Sequence, residues 1–104
     1  MREPEASFTF DTATRTLRLT GGLYDTHDVE QLDLSVSAAS GGFARDVRLD
    51  LSEATFFPSL AVGTLVALRR RAERNGVAVD VVAEPGSLAH RVLTVVRVPV
   101  SAPR

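Results

Sequence analysis

Two kinds of segment alternate along this chain, and their alternation restricts the fold more than any other feature of the sequence. Segments with an apolar residue at every second position, typical of strands, are separated by longer segments with apolar residues three and four positions apart, typical of helices. Residues 7–10 and 15–20 are predicted to pair as a hairpin, because only a short turn-like stretch separates them. Strands that then alternate with helices favour a mostly parallel sheet built by right-handed crossovers.

The predicted elements follow from these periodicities. After the hairpin we predict strands over 47–51 and 77–82, helices over 28–39, 59–75 and 87–96, and an edge strand over 98–100 that Pro99 disfavours. Asp28 is the expected N-cap of the first helix, with Gln31 in the capping-box position. The predicted core residues are Phe10, Leu19, Leu32, Leu49, Leu51, Leu65, Leu68, Val79 and Val81. We therefore expect one α/β domain over residues 1–104, structured from about 7 to 98, with a mixed, mostly parallel sheet of four or five strands and about three helices.

Composition and charge exclude several classes of function. The 104 residues include no cysteine, so neither disulfide nor thiolate chemistry is available. A net charge of -1 provides no basic field for nucleic acid. No stretch approaches the roughly 18–20 apolar residues that span a bilayer, and the N-terminus lacks the apolar region of a signal peptide. We expect a soluble, cytoplasmic protein that neither binds nucleic acid nor inserts into a membrane.

Motifs for catalysis and for cofactor binding are absent from the sequence. His27 and His90 stand far apart, and neither belongs to a metal-ligand motif. The chain contains no lysine and hence no P-loop, and neither GxGxxG nor GxSxG occurs. The arginines at 69–71 and 74 are predicted to form a solvated helix face. We therefore expect no catalytic residue, no metal and no cofactor.

The segment over residues 47–63 differs from this background. A predicted strand leads into a loop with Phe56 and Phe57, both expected to be exposed, and Ser59 then opens an amphipathic helix. A phosphate on a hydroxyl at a helix N-terminus is stabilised by unpaired backbone N–H groups and by the helix dipole. The residues alone leave two interpretations open: Ser59 is a phosphorylation switch, or it is only the N-cap of the helix.

This segment resembles the STAS family, whose best-studied members are bacterial anti-sigma-factor antagonists. VRLDLS at 47–52 is similar to the family's central strand, and TFFPSLAVG at 55–63 is similar to its serine-bearing loop. The following helix is expected to end at Asn75-Gly76, as in the family.

Two further stretches extend the resemblance over about residues 7–98. GLYD at 22–25 looks like the family's acidic loop, with Asp25 at the acidic position, although a register one residue earlier places Tyr24 there. RVL at 91–93 is similar to the family's C-terminal helix.

The resemblance implies a βα fold with strands adjacent in chain order and a protein that binds a partner without catalysing a reaction. It places Ser59 at the serine that a cognate kinase phosphorylates, and that kinase is the anti-sigma factor, with a histidine-kinase-like ATP-binding domain. The partner-binding residues that it implies are Asp25, Thr55, Phe56, Phe57, Pro58, Ser59 and Leu60. The sequence departs from the family motif at Pro58, Leu60 and Ala61, which stand where the family has Asp, Ser and Gly.

Two other classes of function stay open at this point. One is an adaptor that is not phosphorylated and works in a stressosome-like or lipid-transport assembly. The other is a ligand-binding or enzymatic role, which requires His27 or His90 to lie near Ser59 as a base. The oligomeric state is left open as well.

Overall fold

Four strands and three helices alternate along residues 5–103, the part of the chain that the computed structural model describes. The strands are β1 (Ser7–Asp11), β2 (Thr16–Gly22), β3 (Val47–Phe56) and β4 (Val79–Val82), and the helices are α1 (Thr26–Ala39), α2 (Ser59–Arg74) and α3 (Leu88–Val95). The strands form one sheet in chain order, with β1 antiparallel to β2 and the other neighbours parallel. The predicted α/β fold with an N-terminal hairpin is confirmed.

Two charged side chains fix the hairpin between β1 and β2. The Asp11 carboxylate accepts a hydrogen bond from the backbone N–H of Ala13 at 2.9 Å, which closes the turn. Arg15 has a φ of 53°, and its guanidinium donates to the carbonyl of Asp46 at 2.9 Å and to that of Ala39 at 2.7 Å. The hairpin turn is thereby held against the segment that enters β3.

The sheet has one apolar face and one polar face. On the apolar face Leu17 lies opposite Leu49, and Leu49 lies opposite Val81, and all three side chains are buried. α1 and α2 lie over this face, because right-handed crossovers between neighbouring parallel strands place both helices on the same side. On the polar face Arg18 lies opposite Asp50. The hydrophobic core therefore lies between the sheet and the helices.

The predicted core is confirmed except at one position. Phe10 is only half-buried, because it lies on β1, the outermost strand of the sheet. Phe43, which periodicity did not predict, is among the largest fully buried side chains. The Arg71 guanidinium lies 4.6 Å from the centroid of the Phe43 ring, so one of the predicted solvated arginines covers the core.

The start of α1 differs from the prediction. Asp25 is the N-cap, and its carboxylate accepts a hydrogen bond from the Asp28 N–H at 2.9 Å. The Asp28 carboxylate in turn accepts from the Asp25 N–H at 3.3 Å, which completes a capping box. The prediction that Asp28 caps the helix with Gln31 as its partner is wrong, because the cap lies three residues earlier and Asp28 is its partner.

The extents of the strands also differ from the prediction. β3 continues to Phe56, with irregular register against β2 near Gly21 and Gly22, and β4 begins only at Val79. Residues 98–100 form no strand. An isolated bridge from Ser101 to Val82 takes that place beside β4.

Candidate functional site

The carboxyl ends of β2, β3 and β4 meet at one edge of the sheet, where loops lead into the helices. Binding sites in α/β proteins commonly lie at this edge, because strand ends and helix N-termini converge there. The β2–α1 loop contains Asp25, and the β3–α2 loop contains Pro58, followed by Ser59. The Leu23 N–H donates to the Phe56 carbonyl at 3.0 Å. Residues from the two loops therefore share one surface.

Ser59 is the first residue of α2, and it is exposed. Pro58 is the N-cap, in an extended conformation with φ -77° and ψ 173°, and its side chain supplies no capping hydrogen bond. The interpretation of Ser59 as the N-cap is therefore wrong by one residue. Within residues 5–103 the Ser59 hydroxyl has no hydrogen-bond partner. A hydroxyl without a hydrogen-bond partner in the described residues thus lies beside the N–H groups that the first turn of a helix leaves unpaired.

Phe56 and Phe57 point to opposite sides of the chain, although both are predicted to be exposed. Phe57 is 4% exposed and belongs to the hydrophobic core, whereas Phe56 is 43% exposed. The reason is that successive side chains of an extended backbone point in opposite directions. The prediction of an exposed Phe57 is wrong, and its side chain is not accessible to a partner.

The half-buried Tyr24 packs against the exposed Phe56 ring. The two rings stack with centroids 5.4 Å apart and planes inclined by 13°. The Tyr24 ring lies over Gly22, so closely that a Cβ at that position would come within 2.6 Å of the Tyr24 Cζ atom. Periodicity alone did not identify Tyr24, and the only signal in the sequence was the alternative register of the GLYD stretch.

Asp25 has a structural role as the cap of α1, and its partner Asp28 also orders the loop. The Asp28 carboxylate accepts a hydrogen bond from the Tyr24 N–H at 2.7 Å. The capping box therefore holds the backbone of Tyr24, and with it the position of the aromatic ring. Asp25 remains exposed, so a contact with a partner is compatible with its capping role.

Exposed apolar groups flank the serine in sequence. We use the name aromatic edge for the surface formed by Tyr24, Phe56, Pro58, Ser59 and Leu60. Leu60 is 54% exposed, Pro58 is half-buried, and Phe56 contributes the stacked ring described above. Several exposed large apolar side chains in one region mark interaction surfaces more often than single ones do. The arrangement is suited to docking.

Within residues 5–103 the Ser59 hydroxyl is not hydrogen-bonded to either histidine of the chain, His27 in the first turn of α1 or His90 in the first turn of α3. That same part of the chain holds no group of three or more His, Cys, Asp or Glu side chains that could bind a metal ion. None of its helices combines the length and the apolar character needed to cross a lipid bilayer.

Comparison with known proteins identifies both a family and a related fold. The family model described as "Mlab, STAS domain" matches residues 6–99. The chain is also similar to the solved structure of the anti-sigma factor antagonist SpoIIAA in its unphosphorylated form, at 20% sequence identity and a TM-score of 0.62. That match covers 95% of this chain and 87% of the SpoIIAA chain. At this identity the structural match shows the shared fold, and the resemblance seen in the sequence is confirmed.

Proposed function

This chain belongs to the STAS domain family, and we propose that it is a protein-binding switch of the anti-sigma-factor-antagonist type that docks onto its partner through the aromatic edge. The proposed partner is a serine kinase with a histidine-kinase-like ATP-binding domain, which is itself the anti-sigma factor. The observation that carries the proposal is the exposed, uncommitted hydroxyl of Ser59 at the start of α2, beside exposed apolar side chains.

The aromatic edge has the composition of an interface centre. Aromatic side chains are enriched among the residues that contribute most to binding, because they bury a large area at a small cost in side-chain entropy. The stack with Tyr24 holds the Phe56 ring in place before a partner arrives. Ordering the ring in advance lowers the entropy lost on binding.

Phosphorylation of Ser59 supplies the switch in this proposal. A phosphoserine carries about -1.5 to -2 charges, and the N-terminus of α2 stabilises that charge in the free protein. On the aromatic edge the same charge must lose its hydration when an apolar partner surface covers it, and this loss opposes docking. The modification therefore favours the free form over the complex.

The test is calorimetric binding of the full chain to the proposed kinase. Ser59→Asp is expected to weaken binding at least tenfold, about 1.4 kcal/mol, because it places a permanent charge on the aromatic edge. Ser59→Ala is expected to keep the affinity of the unmodified protein and to take up no phosphate when intact mass is measured after incubation with ATP. Thr12→Asp, in the exposed hairpin turn at the opposite end of β1 and β2, is the charge-matched control and is expected to bind like the wild type.

Measurements of the free energy of unfolding show whether a loss of partner binding is caused by a loss of folded protein. Because Pro58 is the cap, Ser59→Ala is expected to change the free energy of unfolding by less than about 0.5 kcal/mol. Ser59→Asp is expected not to destabilise the fold, since an acidic residue in the first turn of a helix interacts favourably with the dipole. Equal kinase affinity for wild type and Ser59→Asp, with both proteins folded, would contradict the switch.

An adaptor that is not phosphorylated is the second candidate, and Pro58 favours it. Pro58 replaces the acidic residue that precedes the serine in the family motif, so the hydroxyl has no neighbouring carboxylate from that position. An adaptor is expected to bind its partner through the same edge while its mass stays unchanged in the presence of kinase and ATP.

A further inference from the structure

The polar face of the sheet carries two adjacent rows of side chains, away from the aromatic edge, and all members except Val82 are charged or carry a hydroxyl. The register across the strands gives the rows Asp11–Thr16–Arg48–Asp80 and Thr9–Arg18–Asp50–Val82. Side chains that lie opposite each other on neighbouring strands share a face and interact. Thr16 and Arg48 lie near the amino ends of β2 and β3, whereas Ser59 follows the carboxyl end of β3. The two regions are therefore separate.

A cavity of about 290 Å³ lies over these two rows. Members of both rows line it, with Thr14 of the hairpin turn and Pro103 of the C-terminal segment. A water molecule occupies about 30 Å³ in the liquid, so the cavity is large enough for a small molecule. Its size is at the lower end of the range for ligand sites.

The carboxylates that line this cavity already have partners. The Asp50 side chain is 9% exposed, lies 3.5 Å from the Arg18 Nε atom and accepts a hydrogen bond from the Ser52 N–H at 2.9 Å. The Asp11 carboxylate accepts from the Ala13 N–H in the hairpin turn. The Asp50 charge is therefore balanced by Arg18, whereas the Asp11 carboxylate accepts only backbone hydrogen bonds and keeps its negative charge.

Arg48 is the cationic residue of the cavity lining that takes part in none of these contacts. It is half-buried and lines the cavity, yet within residues 5–103 its guanidinium makes neither an ion pair nor a hydrogen bond. Asp80 is its neighbour in the ladder and lines a second cavity together with Arg48, but within residues 5–103 the two side chains form no ion pair. A guanidinium that has lost part of its hydration without gaining a partner favours an anion that can accept two parallel hydrogen bonds.

We propose that this cavity is a binding site for a small anion, a carboxylate or a phosphate, held by the guanidinium of Arg48. The Thr9 hydroxyl lines the same cavity and supplies a neutral donor. The site is independent of the proposed function, because it uses the polar face of the sheet and no residue of the aromatic edge.

The test is an amide chemical-shift titration of the full chain, labelled with ¹⁵N, at constant ionic strength. Sodium phosphate and sodium acetate are added in separate titrations, with sodium chloride as the background salt. We expect saturating shifts at the amides of Thr16, Arg48 and Asp50, and the anion that saturates them at the lower concentration identifies the preferred class. Arg48→Gln is expected to weaken that binding at least tenfold.

Two further variants separate the site from a general charge effect. Arg70→Gln removes an exposed arginine from α2 and is expected to leave the affinity within twofold of wild type. Arg48→Lys keeps the charge but loses the paired donors, so its affinity for the anion is expected to be intermediate. If Arg48→Gln does not fold, Arg48→Lys replaces it as the test variant. Shifts that do not saturate with either anion, or equal binding by wild type and the Arg48 variants, would overturn the proposal.

Discussion

The rings of Tyr24 and Phe56 stack with their centroids 5.4 Å apart, although Tyr24 lies in the loop after β2 and Phe56 is the last residue of β3. Gly22 permits this contact, because the Tyr24 ring lies where a Cβ atom at position 22 would be. Gly22 also lies opposite Phe56 in the β2–β3 ladder. The stack therefore couples the loops that enter α1 and α2 and sets the shape of the aromatic edge.

Gly22→Ala is expected to displace the Tyr24 ring and remove its stack on Phe56. The free energy of unfolding should fall by about 0.5–1.5 kcal/mol, the usual contribution of an aromatic pair, as measured by denaturant unfolding. In a Tyr24→Ala background the same Gly22→Ala change is expected to carry no such penalty, because the ring is already gone. Fully additive losses in the double variant would show that the stack does not depend on Gly22.

Phe57→Ala is expected to act mainly on stability, whereas Phe56→Ala is expected to act mainly on partner binding. Phe57→Ala should lower the free energy of unfolding by about 3–5 kcal/mol, because it leaves a cavity in the core. Phe56→Ala should cost less than about 1.5 kcal/mol but weaken partner binding at least tenfold. Denaturant unfolding and calorimetry on both variants make the comparison, and similar unfolding losses would contradict the assignment of the two aromatic residues.

Asp25 variants separate capping from a charged contact with the partner. Asp25→Ala is expected to lower the free energy of unfolding by about 1 kcal/mol, because it removes the cap of α1. Asp25→Asn keeps a side-chain oxygen for the Asp28 N–H, so its stability should be close to that of the wild type. If partner binding by Asp25→Asn is weaker at unchanged stability, the charge contacts the partner; unchanged binding limits Asp25 to its capping role.

Leu68→Ala is expected to lower the free energy of unfolding by about 2–5 kcal/mol, because Leu68 is buried on the inner side of α2. Leu34, on α1, is 61% exposed and provides the matched control. Leu34→Ala should change the free energy of unfolding by less than about 0.5 kcal/mol. A loss below about 1 kcal/mol for Leu68→Ala in denaturant unfolding would mean that α2 faces the sheet differently.

Local periodicity was sufficient for the element order and for most of the core. Leu65 and Leu68 recur at helical spacing, and Val79 and Val81 alternate as in a strand, so each pattern marks the side of its own element that is buried. Ser59 was placed correctly at the start of α2 on the same basis. The STAS fold followed from the motif around Ser59, since periodicity permits several strand orders.

The sequence by itself determined the alternation of strands and helices, the buried side of most elements and the serine that opens α2. Only the tertiary structure decided that Phe57 is buried while Phe56 is exposed and that Tyr24 stacks on Phe56. The physical reason is that a repeating pattern records the orientation of a side chain within one element. Contacts between loops depend instead on the irregularities in the pairing of β2 with β3 near Gly22, and the alternation within one strand does not specify where such irregularities occur.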